Sequence, residues 1–191
     1  MKSTLQGIPA ILGIALLLAP CSEAWAQTAT VNLTSQKQVI RGYGGMNHPI
    51  WAGDLTAAQR TTAFGNGDGQ LGFTIVRMFV SENKNDWSKE VATGKACIAA
   101  GGIAFASPWN PPASMKSGGS INPSQFAAYA THLNDYVTYM KGQGLDLYAI
   151  SVQNEPDYAS EWTAWTPQQV LDFIKNYRSV IVISDPSDYG H

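Results

Sequence analysis

The 191-residue chain carries 14% charged residues, 10% aromatics and a formal net charge of −2 at pH 7. So nearly neutral a surface excludes a basic nucleic-acid face and a polybasic membrane patch, and it suits a neutral polymer better than a phosphate-bearing one. The length allows one core but falls well short of the roughly 250 residues of a complete eight-stranded α/β barrel.

Lys2 precedes an apolar run from Ile8 to Leu18, and Ala24-Trp25-Ala26 reads as a cleavage site before Gln27. Residues 1–26 are therefore expected to be a signal peptide and the remainder to be secreted. The run is too short to span a membrane, so no membrane association is expected after cleavage. Cleavage would remove Cys21 and leave Cys97 alone, with no internal disulfide and stability resting on packing.

Thr30-Val31-Asn32-Leu33-Thr34 alternates like a half-buried strand, and Gln38 to Gly45 reads as a second strand running into a glycine turn. Gly42-x-Gly44 does not complete a dinucleotide fingerprint, because Asn47 stands where the third glycine belongs and no helix is expected to open there. Asn47, His48 and Trp51 form either a sugar-contacting loop or a capped turn with one packing tryptophan. Asp54 to Phe64 suits a helix, closed by Asn66-Gly67-Asp68-Gly69. Phe73 to Val80 is a continuous β run with Arg77 inside it, and an arginine there must meet a carboxylate or line a cavity.

Asp86 to Ala100 suits the next helix, on which Cys97 reads as a small hydrophobe. Gly102 to Ser107 is a short strand, and the three prolines of Pro108-Trp109-Asn110-Pro111-Pro112 stiffen the loop after it. Trp109 there is either a stacking platform for a pyranose ring or a cap on the core. Asn122-Pro123 starts a helix with Phe126, Ala130, Leu133, Val137 and Met140 on its buried stripe, leaving His132 towards solvent. Leu147 to Val152 is the last strand before Gln153-Asn154-Glu155-Pro156. Proline ends that strand and biases Glu155 towards extended backbone. Thr166-Pro167-Gln168-Gln169 opens a final helix with Val170, Phe173, Ile174 and Tyr177 on its apolar face. Val180 to Ile183 could begin a further strand.

Strand and helix thus alternate four times, which means parallel strands with helical crossovers. Polar and aromatic residues collect after each strand: Asn47, His48 and Trp51, then Glu82 and Asn83, then Trp109 and Asn110, then Asn154, Glu155 and Tyr158. In a (β/α) barrel that face carries the active site. On the tripeptide alone, Asn-Glu-Pro is equally a catalytic carboxylate at a strand end or a polar turn closing a core strand.

Three stretches in order, Gly44-Gly45-Met46-Asn47-His48-Pro49, Ala106-Ser107-Pro108-Trp109-Asn110-Pro111-Pro112 and Ser151-Val152-Gln153-Asn154-Glu155-Pro156-Asp157-Tyr158, resemble the bacterial glucuronoxylanases of glycoside hydrolase family 30. The resemblance covers about Thr30 to Tyr177. It implies an α/β fold, a partial (β/α)8 TIM barrel of about the first four βα units over residues 38–183. Residues 27–37 would then supply the N-terminal strand of an incomplete side β-domain, and residues 184–191 a non-matching tail.

The implied activity is internal, retaining hydrolysis of β-1,4-xylan, with xylan as partner and neither cofactor nor metal. Glu155 would be the general acid/base and Asn154 would hold the sugar 2-hydroxyl. Trp51, Arg77, Trp109 and Tyr158 would frame the glycone subsites, with Asn47 also contacting substrate. Retention needs two carboxyl groups about 5–5.5 Å apart. The resemblance puts the second at the end of a seventh strand, and Glu82, Asp157 and Glu161 do not match it. Two readings follow: part of a xylan hydrolase, with little turnover expected from this polypeptide alone, or a secreted non-catalytic protein binding xylan on Trp51, Trp109 and Asn154. Half a barrel would leave two strand edges unpaired, so self-association is expected.

Overall fold

The computed structural model describes residues 29–35, 37–158 and 160–183. The expected signal peptide and the tail at 184–191 lie outside the described residues. The chain divides into two units, residues 1–39 and 40–191.

In the first unit Thr30 to Thr34 is not the expected strand. Thr34 N–H and Oγ1–H both donate to Asn32 Oδ1, at 3.0 and 2.8 Å, and Ser35 N–H donates to Asn32 O at 3.2 Å. An asparagine side chain offers the backbone a local turn in place of a ladder.

The second unit is built on a parallel sheet. Strand β1 (Gly44–Asn47) pairs with β2 (Ile75–Val80), β2 with β3 (Ile103–Pro108), and β3 with a last, two-residue strand, Ala149–Ile150. Between β3 and that strand, β4 (Lys116–Ser117) and β5 (Ser120–Ile121) form a small antiparallel hairpin in the loop after β3, which makes Ala149–Ile150 β6. Sheet order β1-β2-β3-β6 is that of consecutive βα units laid side by side.

β1 starts at Gly44, later than Gln38, and the glycines expected as a turn are inside it. A Cβ on Gly44 would sit 1.7 Å from the Ile75 carbonyl oxygen, so glycine is what lets β1 approach β2. A helical turn, α1 (Pro49–Ala52), opens directly after β1 where none was expected, with proline at its start.

Helix α2 (Ala57–Phe64) carries a capping box between Thr56 and Gln59. The helix expected from Asp86 begins instead as a 3-10 segment at Lys84–Glu90 and becomes α3 at Val91–Ala99. Cys97 on α3 is fully buried, and burial pushes its thiol up to about 11, as fits a packing residue.

Asn122 caps the turn that leads into α4 (Phe126–Gly142), its side chain accepting from Ser124 N–H. The whole stripe from Phe126 to Met140 is buried. His132 is buried too, against the solvent-facing expectation. Trp87 from the 3-10 segment lies 5.5 Å from its ring, and burial lowers its pKa. The periodicity of α4 marked one stripe, whereas packing by the 3-10 segment buries a second face that includes Tyr136.

β6 is shorter than the expected Leu147 to Val152, because only β3 borders it among the described residues. Helix α5 (Pro167–Tyr177) has the expected Thr166–Gln169 capping box, but of its apolar face only Phe173 is buried and Ile174 is exposed. Val180 to Ile183 forms no strand: a 3-10 turn, Arg178–Val180, runs into irregular chain with no neighbouring strand to pair with.

Candidate active site

Because the four strands are parallel, their carboxyl ends share one rim. β1 delivers Asn47 and His48 there, β2 Ser81 and Glu82, β3 Trp109, and β6 Asn154 and Glu155.

Arg77, half-buried within β2, reaches across the sheet. Its Nη2 donates to Ser107 Oγ at 2.8 Å and to Asn154 Oδ1 at 2.5 Å, and its guanidinium carbon lies 4.6 Å from the Trp109 ring centroid. Ser107 Oγ is in turn 2.7 Å from Ser151 Oγ. Desolvation lowers the pKa of Arg77 while the charge of Glu155 opposes that, and a guanidinium stays protonated at ordinary pH. The arginine noted in the β2 run therefore meets hydroxyl, amide and aromatic partners, with Glu155 as the nearby opposite charge.

Asn154 is 8% exposed, with its N–H donating to Pro108 O at 2.8 Å. Its Nδ2 donates to Glu155 Oε2 at 3.3 Å, and the indole Nε1 of Trp162 donates to the same oxygen at 2.9 Å. Glu155 is exposed on the rim. Its φ of 41° contradicts the extended backbone expected before proline and is the one positive φ at a non-glycine position among the described residues. Its carbonyl closes a turn by accepting from Tyr158 N–H at 2.9 Å, while Pro156 O accepts from Trp165 N–H at 2.8 Å. These bonds override the local preference at a cost of about 1–3 kcal/mol, the kind of strain that concentrates at functional sites.

Beside Glu155 is an aromatic cleft of about 250 Å³. His48 is stacked between Trp51 at 3.8 Å and Phe79 at 4.1 Å, and Trp162 stacks on Trp51 at 5.5 Å. Trp109 meets His48, Trp51 and Trp162 edge-on at 5.4, 6.0 and 6.2 Å. Trp109 is buried and buttresses the cluster, while Trp51, stacked on His48 and Trp162, is 62% exposed. Burial lowers the pKa of His48, whose ring nitrogens have no hydrogen-bond partner among the described residues. Glu82, Asn83, Asp86 and Asn110 supply the cleft's polar rim.

The remaining expected residues lie apart from this group. Asn47 is buried, and its Nδ2 donates to Asp54 Oδ1 and Glu90 Oε2, both at 3.2 Å. These bonds tie the end of β1 to Asp54 and to Glu90 of the 3-10 segment. Tyr158 is half exposed and lines a second, open pocket with Glu155 and Asp157. Beneath β1, Asp54 also accepts from Thr93 and pairs with Arg60 at 3.0 Å. Burial pushes the Glu90 carboxyl up to about 8, against the hydrogen bonds of Asn47 and the Phe79 backbone.

Glu90 and Trp162 were not singled out from the sequence. The signal for Trp162 was two tryptophans, Trp162 and Trp165, a few residues beyond Asn-Glu-Pro. For Glu90 it was a lone carboxylate one helical turn after Trp87. Among the described residues no cluster of three or more histidine, cysteine or carboxylate side chains is arranged to hold a metal. An exposed carboxyl held by neutral donors beside an aromatic cleft can exchange a proton with a neutral ligand bound there.

No family model matches the chain. The chain is 60% identical over 159 residues to the glucuronoxylanase XynC of Bacillus subtilis (strain 168), covering 78% of this chain and 38% of that protein. Among solved structures it is similar to a GH30 endoxylanase from Clostridium papyrosolvens C71, with TM-score 0.70, 44% identity, and 80% of this chain against 43% of that one. It is also similar to Xyn30A of Clostridium acetobutylicum, a glycoside hydrolase family 30 subfamily 8 xylanase, with TM-score 0.69, 37% identity, and 79% of this chain against 42% of that one. The chain thus spans about two fifths of the length of each of these relatives.

Proposed function

We propose that the chain belongs with the xylanases of glycoside hydrolase family 30 over the part of their length that it spans, and that Glu155 is the general acid/base of a retaining endo-hydrolysis of β-1,4-xylan. The observation that carries this reading is a carboxylate held by Asn154 and by Trp162, a tryptophan that also lines the aromatic cleft. In the first step the protonated carboxyl gives its proton to the departing glycosidic oxygen, and in the second it takes one from water. Asn154, its oxygen fixed by Arg77, directs its amide towards the sugar 2-hydroxyl. Trp51 offers the stacking face, with Trp109 and Arg77 behind it. Tyr158 contacts substrate on the far side of Glu155, and Asn47 at the end of β1 stands at the substrate side of the rim.

The described sheet is consistent with consecutive units of a barrel, and we read the chain as four units of a (β/α)8 barrel preceded by a segment of a side β-domain, secreted after removal of residues 1–26. Retention requires a second carboxylate about 5–5.5 Å from the first. The carboxylates that line the same openings are Glu82, Asp86 and Asp157, none of which matches the family position. For the 191-residue polypeptide by itself we therefore expect xylan binding without turnover, since the covalent route needs a nucleophile.

The test is retention on insoluble glucuronoxylan together with reducing-end release. Retention weakened by Trp51→Ala, with no release, is the expected result. Release at an enzymic rate that Glu155→Gln abolishes would overturn the lack of turnover, and no retention would overturn the xylan reading.

A further inference from the structure

We infer that Trp162 is the positioning residue for Glu155, and that with Asn154 it directs the transferable proton of that carboxyl to Oε1. The inference rests on the reading of Glu155 as an acid/base. A glutamate exposed at a rim has three side-chain torsions, and its backbone cannot by itself orient the carboxyl plane. Here two donors converge on one oxygen: Trp162 Nε1–H at 2.9 Å and Asn154 Nδ2–H at 3.3 Å, both to Oε2. Among the described residues no side-chain donor reaches Oε1.

Both donors are themselves held. Arg77 fixes the Asn154 amide. The Trp162 ring is stacked on Trp51 with an interplanar angle of 24° and stands at 90° to Trp109, and the backbone N–H of Trp162 donates to Tyr158 O at 3.2 Å. An indole is a donor only and does not ionise in the range where a carboxyl titrates, so it holds Oε2 in either protonation state without competing for the proton. With Oε2 engaged twice, the proton of the neutral acid has its place on Oε1. It leaves from there to the glycosidic oxygen, and the resulting carboxylate stays anchored through Oε2. The same indole joins the acid to the cleft, so a sugar bound in the cleft and the carboxyl that protonates its glycosidic oxygen are referred to one rigid element.

The test is amide and indole hydrogen exchange followed by NMR on the 191-residue chain, with the Trp162 indole resonance identified by its loss in Trp162→Phe. Exchange of the Trp162 Nε1–H is expected to become about tenfold faster in Glu155→Ala. The Trp87 indole, which donates to Ser81 O, is expected to exchange as before. Reciprocally, Trp162→Phe keeps the stack and removes the donor, so the Glu155 carboxyl carbon resonance should move. Unchanged exchange in Glu155→Ala, or an unmoved carboxyl resonance in Trp162→Phe, overturns the positioning role whatever the chain does with xylan. Failure to bind xylan while both responses are present would overturn the reading of the site and leave the hydrogen bond standing.

Discussion

The guanidinium of Arg77 lies 4.6 Å from the centre of the Trp109 ring while donating to Ser107 and Asn154, so one cation joins the carboxyl ends of β2, β3 and β6. Lysine keeps the charge but has neither the flat face nor the fork. Arg77→Lys is expected to lower stability by about 2 kcal/mol, which for a chain of this size is a melting temperature lower by roughly 4–8 °C. Asn154 would lose its anchor at the same time, so calorimetry and retention on xylan should fall together. An unchanged melt would mean that the stack contributes nothing.

Glu90 sets a pH dependence. Its carboxyl is raised from 4.5 to about 8 by burial, with the charge of Asp54 adding to the rise and Tyr136 also nearby. The folded state therefore holds a proton that the unfolded state has released between those values. The contribution is fully present below pH 4.5 and is lost as pH rises through 8, on the order of 5 kcal/mol in total. Melting temperature is expected to fall steadily between pH 5 and 8. In Glu90→Gln, where the side-chain oxygen still accepts from Asn47, that slope should flatten.

The local signals that survived into the structure are those whose partners lie close in sequence. Asn122 caps its turn, Thr166 and Gln169 close their box, and Phe126 to Met140 form a buried stripe, because each depends on residues two to four positions away. Parallel alternation put Glu155 on the same rim as Trp109 and Arg77 for a similar reason: a strand end before proline is a local fact. What was not legible depends on distant chain. His132 is buried by Trp87, some forty-five positions earlier, and Asn47 is turned inward by Glu90. The backbone of Glu155 reversed its pre-proline preference because hydrogen bonds from Tyr158 and around Pro156 close a turn that no dipeptide rule contains. Thr30 to Thr34 alternated correctly, but alternation specifies a face and not a neighbour.

Gly44 separates a packing requirement from a flexibility preference. A methyl group there would meet the Ile75 carbonyl at 1.7 Å, and backbone cannot yield as a side-chain tip can. Gly44→Ala is expected to push β1 from β2 and cost about 2–3 kcal/mol. Gly119→Ala, with nothing within 4 Å of the new methyl, should stay within about 0.5 kcal/mol. Denaturant unfolding of the two variants side by side makes the comparison, and equal midpoints would deny the close approach.

The sheet ends at β1 on one side and β6 on the other, with no further strand bordering either among the described residues. Next to β1 an apolar groove of about 440 Å³ is lined by Met46, Leu55, Phe64, Leu71, Phe73 and Val76, and next to β6 one of about 370 Å³ is lined by Ile150, Val152, Phe173, Ile174, Ile181 and Ile183. Unpaired backbone flanked by aliphatic side chains is a template for another strand, and the charge lining these two grooves among the described residues is that of Arg178 beside β6. The 191-residue polypeptide is therefore expected to self-associate. Light scattering behind size exclusion should give a mass above that of one chain, rising with concentration. Charged substitutions at Met46 and Ile174, both exposed beside the grooves, should lower that mass without altering the far-ultraviolet circular dichroism. A monomer at all concentrations, with a single cooperative melt, would mean that these edges are protected in a way their side chains do not explain.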